Sequence, residues 1–188
     1  MRKNCILIVD DEENVVNSLV RLLKQENYDI LTARNAQEAL DKLRTKSVSL
    51  VMTDQRMPGM TGLELLKETK QLYPETMRMV LTGFTDLDVV VKAINEGEVY
   101  RFVTKPWEDE GLKNIIRQVM FQYNLLVDNK ILLNMVRRQR KTISEIEDKC
   151  PEAAQLHKKE EVYEIEDTGE TLEDFVQRYF PGEKDKGE

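Results

Sequence analysis

Val48-Ser-Leu-Val-Met-Thr-Asp54 is an apolar run that ends on a carboxylate, and Pro58-Gly59 turns the chain soon afterwards. A short apolar run bounded by a turn reads as a buried strand, with Asp54 at its carboxyl end. Three other short runs end on reactive side chains. Ile6-Leu-Ile-Val9 leads to Asp10-Asp11, Met79-Val-Leu81 to Thr82, and Phe102-Val-Thr104 to Lys105. In an open parallel sheet such ends share one edge, where ligand crevices form. Three acids, a hydroxyl and an ammonium collected there make a chemical site.

Outward from this stretch, strands and helices alternate. Strands are expected over 4–9, 29–33, 48–53, 77–82 and 99–104. The first is apolar throughout, as suits a strand covered on both faces. The last carries Tyr100, Arg101 and Phe102, which suit a sheet edge. A first helix carries Val15, Val16, Leu19, Leu22 and Leu23 at helical period, and Asn35 is placed to cap a second. Thr61 and Glu64 have capping-box spacing before a third, and a fourth is expected from about 86 to 95. Five β-α units with short connections define a doubly wound α/β domain over 1–125 with a five-stranded parallel sheet.

The fifth helix runs past the end of this domain. Between Glu108 and Lys149 there is no proline, and the one glycine, Gly111, lies near the start. Leu112, Ile116, Val119, Tyr123 and Leu126 form a stripe expected to dock on the sheet. Leu125, Leu132, Val136, Ile143 and Ile146 form a second seam, so 126–150 reads as a helical extension that pairs with another chain as a coiled coil. Residues 151–188 read as an acidic tail holding a short strand and one amphipathic helix. From 145 to 188 there are 15 acids and 6 bases, leaving 20 acids and 22 bases on the residues before, so the net charge of −7 belongs to the tail.

Cys5 and Cys150 lie far apart, outside any zinc or C-x-x-C spacing, and no apolar stretch approaches the ~20 residues needed to span a bilayer. The first apolar run is too short for a secretory signal. A cytoplasmic protein is expected. The basic cluster Arg137-Arg138-Gln139-Arg140-Lys141 reads as a solvated helix face, and no recognition helix follows it, so nucleic acid is not an expected partner.

Asp10, Asp11 and Asp54 on one edge would repel one another unless a positive charge intervened. Magnesium suits such a set, because it prefers carboxylate oxygens, keeps several waters and bridges to phosphate. With Lys105 as a fixed cation, Asp54 is positioned to attack phosphorus as a nucleophile.

The set Asp10-Asp11, Asp54-x-x-Met57-Pro58-Gly59-Met60-x-Gly62, Thr82-Gly83 and Phe102-x-x-Lys105-Pro106 resembles the receiver domain of two-component response regulators. The resemblance implies a flavodoxin-like fold in which Asp54 accepts a phosphoryl group from a sensor histidine kinase. It implies that Asp11 and Asp54 ligate magnesium with the Arg56 carbonyl, Asp10 acting directly or through water. Thr82 and Phe102 would switch on phosphorylation, Lys105 would pair with the phosphoryl group, and the Lys105–Pro106 bond would be cis. Output is then expected through protein contacts: a homodimer built on the long helix, and a downstream protein the sequence does not name. No separate catalytic output is legible in the tail. Two alternatives remain at this point, a DNA-binding regulator and a haloacid-dehalogenase-like phosphatase. The latter needs a second acid two residues after its nucleophile, where this chain has Arg56.

Overall fold

The computed structural model describes residues 3–83, 91, 93, 94 and 98–149. Five parallel strands form one sheet in the order β2-β1-β3-β4-β5. They are β1 (Cys5–Val9), β2 (Asp29–Ala33), β3 (Leu50–Asp54), β4 (Met77–Thr82) and β5 (Arg101–Thr104). The described helices are α1 (Glu13–Leu23), α2 (Ala36–Thr45), α3 (Gly62–Leu72) and α4 (Asp109–Lys149). Of the helix expected near 86–95, the described residues 91, 93 and 94 are helical and the others lie outside the description. So do the expected strand and helix of the tail.

Alternation along β1 explains the layers. Leu7 and Val9 point into a cluster with Leu40 and Leu43 of α2 and Leu65 and Leu66 of α3. Ile6 and Ile8 point the other way, against Leu19 and Leu23 of α1 and Leu112, Ile116 and Val119 of α4. Each face of the sheet therefore buries its own apolar set, which is why β1 reads as uninterrupted hydrophobicity. Each fully buried Leu or Ile contributes roughly 1.5–3 kcal/mol of transfer free energy.

Local signals fix the helix starts. Asn35 accepts a hydrogen bond from the Glu38 N–H at 2.9 Å. Thr61 and Glu64 form a reciprocal capping box, with Glu64 N–H to Thr61 Oγ1 at 3.3 Å and Thr61 N–H to Glu64 Oε2 at 2.8 Å. Neither Asp10 nor Asp11 is the N-cap of α1; that position is Glu12, with no side-chain cap. β5 lies at the sheet edge as expected. It begins two residues later than expected, because the Val99 N–H turns back to the Ala93 carbonyl.

The chain divides into two units, Met1–Met135 and Val136–Glu188. In the first, Leu112, Ile116, Val119 and Tyr123 dock as expected, but Leu126 is 57% exposed. Val127, one step further round the helix, packs instead. Phe121, Leu125, Leu132, Leu133 and Met135 also face outward. Beyond 135, the described residues through 149 are helical, and Val136, Ile143 and Ile146 are exposed.

Candidate functional site

The strand order reverses direction between β1 and β3, which leaves a crevice beyond their carboxyl ends. Asp10, directly after β1, and Asp54, last in β3, meet there through one lysine. Lys105 Nζ donates to Asp10 Oδ2 at 2.9 Å and contacts Asp54 Oδ1. Lys105 follows β5, and its backbone N–H is tied to the Thr82 carbonyl at 2.7 Å. The Lys105–Pro106 peptide is cis.

Asp10 is 1% exposed, and burial pushes its carboxyl pKa up despite the hydrogen bonds from Lys105 and the Glu12 N–H. Lys105 is also desolvated, which alone would lower its pKa. Hydrogen bonds to Asp54 and Asp10 outweigh that loss, and its pKa is raised. The ion pair thus holds the lysine firmly charged but does not fully offset the cost of burying Asp10.

Asp54 Oδ2 accepts from the Arg56 N–H at 2.6 Å. Thr82 is fully buried at the end of β4, and its Oγ1 donates to the Gly83 carbonyl at 3.2 Å. Phe102 is half-buried against the cluster on the α2–α3 side. Asp11 and Arg56 are exposed at the crevice strand ends. The expected crowding of three acids is therefore two acids bridged by a lysine. Trp107 lines a cleft with Ser18, Arg21 and Leu22 of α1.

The donor chemistry fits magnesium. Asp10 and Asp54 supply hard, acceptor-only oxygens, and one lysine leaves the pair with a net negative charge. Among the described residues no three acidic, histidine or cysteine side chains form a ready cage. An ion here would be held by few protein oxygens and keep much of its water, as magnesium commonly does.

One residue of this site, Gln55, escaped the sequence reading, and Gly62 entered it only as part of the motif. The Gln55 side chain accepts from the Leu63 N–H of α3 at 3.2 Å. Gly62 lets α3 abut the acid's own peptide: an added Cβ would strike the Asp54 carbonyl oxygen and lie 2.9 Å from its carbonyl carbon and 3.1 Å from Gln55 Cα. Backbone cannot swing aside as a side chain can. Gly62→Ala is expected to cost about 1–3 kcal/mol through overpacking, seen as a lower urea midpoint. An unchanged midpoint would mean that α3 can shift freely.

Fold and site together define a class: a doubly wound α/β domain with a lysine-bridged pair of carboxylates at its switch point. A family model for the response regulator receiver domain matches residues 6–117, and the chain belongs to that family. It carries the receiver domain of two-component response regulators. The hydrogenase transcriptional regulatory protein HoxA of Cupriavidus necator is 39% identical over 115 residues, 61% of this chain and 24% of that protein. The DNA-binding transcriptional regulator NtrC of Klebsiella pneumoniae is 34% identical over 120 residues, 63% of this chain and 25% of that protein. The chain spans about a quarter of the length of these curated relatives. Among solved structures, the signal receiver domain of an HD domain-containing protein from Pseudomonas fluorescens Pf-5 aligns with a TM-score of 0.63 at 41% identity. That alignment covers 65% of this chain and 98% of the other. Receiver domains of this family generally bind magnesium at the phosphorylation site.

Proposed function

We propose that Asp54 accepts a phosphoryl group from the phosphohistidine of a sensor kinase. The observation that supports this most directly is the lysine bridge between Asp10 and Asp54 at the sheet's switch point. Asp54 Oδ attacks phosphorus, the bond from phosphorus to the donor nitrogen breaks, and that nitrogen leaves with its electron pair. Lys105 pairs with a phosphoryl oxygen, and the Thr82 hydroxyl, released from Gly83, donates to another. Phe102 then follows inward. Asp10, Asp11, Asp54 and the Arg56 carbonyl are the groups that would hold magnesium. When bound, the ion offsets charge on the phosphoryl oxygens, a main requirement of phosphoryl transfer.

A charge-assisted hydrogen bond contributes about 1.5–3 kcal/mol, whereas inverting a 1:99 equilibrium needs about 5.5 kcal/mol. Thr82 alone gives a partial shift. An added subunit contact would complete it, and the outward apolar side chains of α4 suit that contact. In this reading 1–125 is the receiver module, 126–150 pairs with the same segment of a second copy, and 151–188 is an acidic tail. The protein works in the cytoplasm as a regulator, signalling to a downstream protein, and no nucleic-acid contact is assigned to this chain. Arg56 stands where a haloacid-dehalogenase-like phosphatase needs an acid, which speaks against that alternative.

Light scattering with magnesium, with and without beryllofluoride as a phosphoryl mimic, tests the reading. The native chain is expected to double in mass with the mimic, and Asp54→Ala to show no response. A native mass indifferent to the mimic would sink the phosphorylation-controlled dimer.

A further inference from the structure

Gln55 follows the acceptor aspartate directly, and three of its polar groups grip a neighbour. Its N–H donates to the Leu81 carbonyl of β4 at 3.0 Å. Its carbonyl accepts from the Gly62 N–H at 3.1 Å, and its Oε1 accepts from the Leu63 N–H at 3.2 Å. Two of the otherwise orphaned N–H groups at the start of α3 thus close on one residue. Leu81 immediately precedes Thr82, so the same residue joins the acid's peptide to the strand that ends on the switch hydroxyl. The bare Cα of Gly62 permits the close approach.

We propose that Gln55 is a positioning residue for phosphoryl acceptance. By clasping the first turn of α3 it fixes the peptide plane from which the Asp54 side chain projects, and so the angle at which the carboxylate meets phosphorus. The inference rests on Asp54 being the acceptor. The competing account is a helix cap that holds α3 and does nothing more. Thr61 separates the two: its hydroxyl caps the same turn through the Glu64 N–H rather than through the peptide that follows Asp54. Removing either acceptor weakens α3, but only the loss at Gln55 loosens the acid's own peptide.

The test uses the full chain with magnesium chloride and phosphoramidate. Initial rates of phosphorylation are measured against donor concentration for the native chain, Gln55→Met, Gln55→Glu and Thr61→Ala, with Asp54→Asn as the blank. Because angular misplacement penalises the reacting geometry more than donor binding, the limiting rate of Gln55→Met is expected to fall about tenfold with the half-saturating concentration changed by less than about twofold. Gln55→Glu keeps an oxygen acceptor for the Leu63 N–H and is expected within about threefold of native. Thr61→Ala is expected to lose thermal stability yet keep the native rate. A native limiting rate in Gln55→Met, or equal losses in Gln55→Met and Thr61→Ala, overturns the proposal. Should Gln55→Met fail to fold, Gln55→Ala carries the same comparison. Phosphorylation that persists in Asp54→Asn would overturn the acceptor assignment instead, so the two failures are distinct.

Discussion

Asp54→Asn is expected to take up no phosphoryl group from phosphoramidate or acetyl phosphate, while its domain stays at least as stable as the native one. The amide keeps the shape of the carboxylate but is not an anionic nucleophile. In the folded chain the charge on Asp54 raises the pKa of its buried neighbour Asp10, so neutralising it relieves a like-charge repulsion. Loss of chemistry with no loss of stability is the pattern of a residue kept for function at a cost to the fold. Mass spectrometry after incubation with the donor, paired with urea melts, reads both halves. Uptake at the native rate would move the acceptor to another acid, with Asp11 the first to examine.

Lys105→Met is the second large effect, and it falls on stability as well as chemistry. Asp10 is 1% exposed, and Lys105 is its one cationic partner among the contacts described. Removing one member of a buried pair typically costs about 3–5 kcal/mol, because the other charge is left uncompensated. The pH dependence has a definite sign. Burial already raises the folded pKa of Asp10, so the folded state binds this proton more tightly than the unfolded chain. Its contribution is then favourable at low pH and is lost as pH climbs from the unfolded value of about 3.9 through the raised folded value. Without the lysine that window widens upward. Urea unfolding in EDTA should place the variant closer to native at pH 5 than at pH 8, and equal gaps at both would remove Asp10 as the cause.

Much of this was legible from residues alone, for reasons that can be named. Strands β2 and β4 have the expected bounds, since each is a short run closed by a polar residue at both ends. The Asn35 cap, the Thr61–Glu64 capping box and the edge character of β5 depend on nearest neighbours and carried over. What the chain order hid was side-chain direction. Spacing along a strand puts Asp10, Asp11 and Asp54 at one edge, but alternation sends Asp10 inward to Lys105 and leaves Asp11 exposed. Leu126 looked equivalent to Tyr123 on a helical wheel, yet Val127 is the residue that packs. Gln55 carried no signal at all, because its role depends on where α3 begins in space.

Strand β1 comes first in the chain but lies between β2 and β3, with Ile6 facing both Ile30 and Leu50. No rung of this ladder joins residues near one another in sequence, and each requires an intervening helix to be looped out first. Local hairpins therefore cannot seed assembly, and the entropic toll of closing those loops falls before any rung returns it. Residues 5–9 act as a keystone: until they are in place, β2 has no strand to join and stays parted from β3, β4 and β5.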